Sequence, residues 1–171
     1  MTPTLYESYP PGETSYTVTL ESIHATYTEL EPLYRQHYAA MRERMAKTGV
    51  LMSDYKPRRD CFDKANLEGG LLHFVLRTMG PECEGKAVGY ANIYLTHDMH
   101  NYDLIAQEDT IYVVPEHRNG SGRLLARFVY ADLKARGVKR LNVTTATDLR
   151  VSKWLERQGY KHTAHCMTLT F

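Results

Sequence analysis

The chain has 171 residues, 43% of them hydrophobic and 24% charged, with 21 Lys and Arg against 20 Asp and Glu. That length suits one domain with one core, and the composition excludes a disordered or fibrous chain. A net charge of +1 supplies no general pull toward nucleic acid or an anionic membrane, so neither is an expected partner.

No run approaches the ~20 apolar residues of a membrane helix. The opening MTPTLYESYPPG has no basic patch followed by an apolar stretch, so a secretory leader is not expected; residues 1–13 read as a loose arm. Cys61, Cys83 and Cys166 lack metal-ligand spacing, which suits a reducing cytoplasm and predicts no metal centre.

Tyr16 to Leu20 (YTVTL) alternates as a strand. Thr28 and Glu31 have capping-box spacing, and Leu30, Leu33, Tyr34, His37, Met41 and Met45 share one face of a helix that should end near Gly49. Residues 53–70 leave room for a short helix. Leu71 to Thr78 and Ala87 to Thr96 read as strands, followed by Asp109 to Val114, which Pro115 halts. Arg123 to Arg136 is an amphipathic helix closed by Gly137. Val138 to Thr144 reads as a buried strand, Leu149 to Gln158 as a short helix, and Tyr160 to Phe171 alternates again. The order β, α, (α), β, β, β, α, β, α, β predicts a mixed α/β sheet, an antiparallel meander with a parallel pair near the C-terminus.

The segment IYVVPEHRNGSGRLLARF, Ile111 to Phe128, is the most informative. A strand stops at a proline, a basic glycine-bearing turn follows, and a helix begins at once. The start of a helix exposes unpaired N–H groups and partial positive charge, and glycines let a phosphate approach the backbone, with Arg118 and Arg123 adding charge. The same residues also suit a plain turn in which Gly120 and Gly122 permit positive φ. The pattern is neither of the common nucleoside-triphosphate or dinucleotide fingerprints.

A strand ending V-x-P, then E-x-R, a Gly-rich turn and a helix with paired leucines resembles the acetyl-CoA-binding motif of the GNAT superfamily of N-acetyltransferases. The ending W-L-E-R-Q-G-Y, the first helix and the strand order agree with it, so the resemblance covers most of residues 16–171 and is densest over 108–160. HDMH…QEDT, PEHRNG and LERQGY resemble a branch often carried by bacteriophages. The resemblance implies a sheet with a splayed parallel pair and an acetyl-CoA cosubstrate. It also implies an amine-bearing acceptor, a small molecule or a protein, a cytoplasmic setting (a host's, for a phage gene) and a homodimer of the kind common in the family.

The coenzyme would rest on Arg118, Asn119, Gly120, Ser121, Gly122, Arg123 and Leu124, in a register that starts the turn at Arg118 rather than His117. Asp148 stands at the position often held by asparagine. Main-chain groups of Val113 and Val114 would polarise the thioester carbonyl. The tyrosine that often protonates the departing thiolate falls at Leu155, which has no proton to give. A thiol pKa near ~8.5 makes that proton useful rather than obligatory.

An amine with pKa about 10.4 is almost fully protonated at neutral pH, so a base helps. Strand alternation puts Glu108, Thr110 and Tyr112 in one polar row, with Glu108 as base, Tyr112 beside the thioester and a water between. As solvated strand-start residues, Glu108 and Asp109 fit equally well. His37, on the first helix, and His100, at the tip of HDMHNYD, are candidate acceptor contacts; His97 and His100 lack the third ligand a metal would require. Two functions follow: transfer of an acetyl group to a primary amine, or a non-catalytic GNAT-fold protein that binds an acyl-CoA or a host protein, which Leu155 and Asp148 favour.

Overall fold

The computed structural model describes residues 15–80, 85–145, 149–164 and 166–169. The expected arm, Cys83 and Asp148 lie outside them. The packing divides the chain into two compact units. The first holds the described residues up to Leu33 together with Pro57–Val143, and the second holds Tyr34–Lys56 and the described residues from Thr144 onward.

The first unit is built on a five-stranded sheet: β1 (Ser15–Leu20), β2 (Leu71–Met79), β3 (Ala87–His97), β4 (Leu104–Val113) and β5 (Arg140–Asn142), in that spatial order. The first three pairings are antiparallel and β4–β5 is parallel. One face carries the apolar core. Tyr16 and Val18, then Leu72, Phe74 and Leu76, then Ala91 and Ile93, pack with Ala106 and Val113 against Leu124, Leu125, Phe128, Val129 and Leu133 of α3 (Ser121–Ala135). Fully burying each such side chain contributes roughly 1.5–3 kcal/mol, so the two-residue alternation in the strands and the three-to-four-residue recurrence in α3 together fix where the helix lies.

Helix α1 (Ile23–Ala46) begins earlier than the Thr28 capping box predicts. Ser22 takes the capping position: its carbonyl accepts from the Thr26 N–H at 3.1 Å and its Oγ from the Ala25 N–H at 3.5 Å. Pro32 therefore lies inside the helix, where it removes one main-chain hydrogen bond. Helix α2 (Arg59–Leu67) occupies the predicted short-helix region.

Three strand expectations are corrected. β4 starts at Leu104 rather than Asp109, because Leu104–Gln107 complete a hairpin ladder with Tyr94–His97 that local propensity does not register. β5 is three residues rather than seven, since Val138 is used to close α3 by donating to the Leu133 carbonyl at 3.1 Å. The alternating C-terminal segment forms no strand among its described residues, and Met167 and Leu169 are exposed.

The second unit holds the C-terminal part of α1, residues 47–56 and α4 (Leu149–Arg157). Tyr38 donates its phenol to the Ser53 carbonyl at 2.7 Å, Arg42 pairs with Asp54 at 2.8 Å, and the Arg35 guanidinium lies over the Tyr55 ring. Leu155 is buried in α4. Among the described residues no helix is long and apolar enough to cross a membrane.

One ion cluster fastens α1 to the sheet. Arg77 of β2 donates from Nε and Nη2 to Glu21 at 2.8 Å each, from Nη1 and Nη2 to Glu29 at 2.7 and 2.9 Å, and from Nη1 to the Gly85 carbonyl at 2.6 Å. Burial works to raise the Glu21 carboxyl, but the hydrogen bonds from Arg77 and Thr19 prevail and hold it below its ordinary value; hydrogen bonding to Arg77 also lowers Glu29. Depressed carboxylate pKa values give stability that is present above about pH 4.3 and is lost as pH falls through the folded-state values. Arg77→Met should therefore cost about 2 kcal/mol near neutrality, between the values for exposed and buried pairs. In urea titrations the gap from wild type should close below about pH 4, whereas a gap constant down to pH 3 contradicts the assignment.

Candidate functional site

At the far end of β4 from its hairpin, two features of the main chain come together. The first is the loss of a neighbour. β5 accompanies β4 only over Ile105–Gln107, so from Glu108 onward that edge has no strand partner among the described residues. The Val114 N–H donates to the Val88 carbonyl of β3 at 2.9 Å. Successive N–H groups of a strand point to opposite edges, so the Val113 N–H is aimed at the edge β5 has left. Of the two expected carbonyl-polarising groups, Val113 keeps a free direction and Val114 does not.

The second feature is the turn that follows. Val114 leads into a single 3-10 turn, Pro115–His117, and Gly120 precedes α3 with φ 114° and ψ −18°, a left-handed conformation that glycine adopts without penalty. The Gly120 carbonyl accepts from Arg123 at 2.9 Å and Leu124 at 3.4 Å. The donors expected over 119–124 therefore narrow to Asn119, Gly120, Ser121 and Gly122, since Arg123 and Leu124 are engaged within the helix and the Leu124 side chain belongs to the core. No side chain caps the start of α3. Ser121 is fully buried, and its hydroxyl donates back to the His117 carbonyl.

Arg118 does not reach outward alone. Its Nε donates to the Val113 carbonyl at 2.8 Å and its guanidinium carbon lies 5.5 Å from the centre of the Tyr112 ring, tying the turn to the strand it leaves. The Arg123 side chain is exposed at the first turn of α3. A Cβ built on Gly122 would meet only Val113 Cγ2, at 3.8 Å, so nothing in the protein itself requires glycine there.

The predicted polar row is broken. β4 pairs Thr110 with Asn92 and Glu108 with Ile93, so Asp109 is an extra residue, a β-bulge. Beyond it the alternation resets. Thr110 and Tyr112 lie on the face of Asn92 and Tyr90, while Glu108 follows Ile93 onto the face of the apolar core. Asp109 joins Thr110: the Thr110 hydroxyl donates to its carboxylate at 3.2 Å, and the Asn92 amide donates to it as well. Asp109 is open to solvent as a residue, yet crowding of its carboxyl raises its pKa, with the two hydrogen bonds opposing. Behind it, His73 Nδ1 lies 2.7 Å from Asn92 Oδ1, so Nδ1 carries the proton; burial lowers the pKa of this imidazole. Tyr94 is raised by burial and then by the Asp109 charge.

A polar string His73–Asn92–Asp109–Thr110 thus crosses three strands. Sequence reading missed its first three members, although His73 and Asn92 each interrupt an apolar run. Tyr112 is buried, its ring 6.2 Å from that of Tyr90. His100 is at the other end of β4, whose ten residues span on the order of 30 Å, so the structure does not bring it to the glycine turn. Its N–H is held by Asp98 Oδ1 at 2.8 Å. His37 and Leu155 belong to the second unit. Among the described residues no group of three or more His, Cys, Asp or Glu comes together as metal ligands would.

The model of the acetyltransferase (GNAT) family matches residues 27–160, and the chain belongs to that family. Solved structures agree on the fold. A tetramutant of the BH1408 protein from Bacillus halodurans is 17% identical with TM-score 0.71, covering 90% of this chain and 99% of its own. An aminoglycoside acetyltransferase from an uncultured soil metagenomic sample, solved with sisomicin, is 13% identical with TM-score 0.68, covering 91% and 96%. A ribosomal-protein-alanine N-acetyltransferase from Brucella melitensis biovar Abortus 2308 is 16% identical with TM-score 0.60, covering 90% and 98%. No curated protein sequence matches significantly.

The two glycines of the turn separate by stability. Gly120→Ala should cost about 1–2 kcal/mol, the penalty of a left-handed alanine. Gly122→Ala should stay within about 0.5 kcal/mol of wild type in the same denaturant titrations. A large loss at Gly122 would mean that the fold, rather than a ligand, requires it.

Proposed function

We propose that the protein is an acetyl-CoA-dependent N-acetyltransferase that acts on a primary amine of a small molecule or protein by direct attack. Family membership supports the acetyl donor. The observation that carries the reading is the set of uncapped N–H groups at 119–122 beside a glycine the fold does not need. These groups, with the partial positive charge at the start of α3 and the Arg123 side chain, suit a diphosphate. The coenzyme supplies an acetyl group already activated as a thioester.

The chain's own residues do the rest. The Val113 N–H holds and polarises the thioester oxygen from the open edge of β4. Asp109 takes the base role expected of Glu108, because the bulge turns Glu108 onto the other face. Asn92 and Thr110 aim its carboxylate, and a raised pKa makes it a better proton acceptor for an ammonium group, directly or through water. Tyr112 supports Arg118 and so the shape of the turn. Leu155 gives the departing sulfur no proton, which its own acidity tolerates. The relatives that act on an aminoglycoside and on a ribosomal protein support an amine acceptor without choosing between the two kinds. Of the two histidines expected to contact the acceptor, His37 is kept as a candidate, and His100 drops out because it lies beyond the opposite end of β4 from Val113. Leu155 also favours a second reading, a GNAT-fold protein that binds acyl-CoA or a host protein without turnover.

The test is free-thiol release from acetyl-CoA with mixed polyamine, aminoglycoside and peptide amines, beside calorimetry with coenzyme A. The transferase should bind coenzyme A and release thiol with at least one acceptor; binding without turnover on any acceptor supports the second reading. Gly122→Ala should weaken coenzyme binding at least tenfold. Asp109→Asn should lower kcat about a hundredfold and abolish the acid limb of the pH–rate profile, present in wild type because the base works only when deprotonated. Glu108→Gln should keep that limb, and its loss there instead would return the base role to Glu108.

A further inference from the structure

The turn that presents these N–H groups is held from an unexpected place. Tyr16, on β1, is 1% exposed. Its phenol crosses the core face to the turn, lying 3.0 Å from His117 Nδ1 and donating to Asn119 Oδ1 at 3.3 Å. The Tyr16 and His117 rings meet edge to face, 5.8 Å apart with their planes at 90°. A buried aromatic that served packing alone would need no hydroxyl, and a buried hydroxyl is costly unless partnered. His117 and Asn119, which partner this phenol, are both residues of the turn.

The proton inventory is consistent in one way. A phenol has a single hydrogen, and donating it to Asn119 leaves its oxygen to accept from His117, so His117 carries a proton on Nδ1. The link therefore has a direction, from His117 through Tyr16 to Asn119. Its two ends straddle Arg118, which is fixed to the Val113 carbonyl, and the His117 carbonyl is bound by the Ser121 hydroxyl. β1 and β4 thus hold the turn together, just before the first free N–H groups of α3.

We propose that Tyr16 is a positioning residue for the coenzyme: through His117 and Asn119 it pre-shapes the turn so that the N–H groups of residues 119–122 converge on one diphosphate. The proposal rests on the coenzyme reading above and adds a residue distant in sequence from the motif. Removing the hydroxyl leaves the packing ring in place and frees the turn to wander, so coenzyme binding must then order it.

The experiment uses the full chain and coenzyme A as the calorimetric probe. Tyr16→Phe should raise the dissociation constant about tenfold, the effect of one lost hydrogen-bonded link. KM for acetyl-CoA should rise in step while kcat at saturation stays within twofold. A purely structural loss would lower the active fraction and leave both constants unchanged. His117→Leu should weaken binding similarly, and the double variant should be no weaker than either single one. His117→Gln, which can still donate to the phenol, should retain most of the affinity. If Tyr16→Phe does not fold, His117→Leu and His117→Gln read the same link from its half-exposed end. Wild-type affinity in Tyr16→Phe, or additive effects in the double variant, would overturn the proposal. Absence of coenzyme A binding by the wild type at millimolar concentration would instead overturn the coenzyme reading on which it stands.

Discussion

Backbone N–H groups must find partners, and along β4 the supply runs out on one edge. β5 pairs only as far as Gln107, so the second half of β4 keeps its bonds to β3 and has no strand on its other edge among the described residues. A few residues later the start of α3 repeats the situation, with uncapped donors that no side chain satisfies. A fold that satisfied both internally would be a more complete sheet and a better-capped helix. Leaving them open places unsatisfied main-chain donors a few residues apart, and the proposed coenzyme reading rests on that pairing.

The bulge at Asp109 gives the same strand a second use. Up to Glu108 the alternation serves the α3 core, and after the extra residue Ile111 and Val113 return to it. The carboxylate of the inserted residue is left beside Asn92 and Thr110 instead of between apolar side chains. Buried polar groups cost free energy unless hydrogen-bonded, which is why His73 and Asn92 come as a partnered pair behind it. The two faces of one sheet thereby differ in kind: α3 is packed on one, and a hydrogen-bonded carboxylate stands on the other.

Much of the architecture was legible because it is local. The meander, α3 and α4 follow from alternation, helical recurrence and closing glycines, and the glycine turn was recognisable from its residues alone. What escaped has a common physical character. An inserted residue in QEDTIYVV leaves the apolar pattern on either side intact, so the change of face at Asp109 has no signature in composition. Ser22 outcompetes the Thr28 capping box through contacts that spacing cannot rank. The link from Tyr16 to His117 joins residues 101 positions apart, and nothing in YTVTL distinguishes a phenol that packs from one that holds a turn. The alternating tail shows the converse: a period of two, even with Met167 and Leu169 on one face, does not make a strand among its described residues, because no neighbouring strand pairs with it there.

The ring of main-chain donors can be observed residue by residue. Titrating uniformly 15N-labelled protein with coenzyme A and following amide resonances should produce the largest shifts at Asn119, Gly120, Ser121 and Gly122, with a smaller set at Val113. Saturable shifts that cluster elsewhere and leave those five amides unmoved would contradict the account.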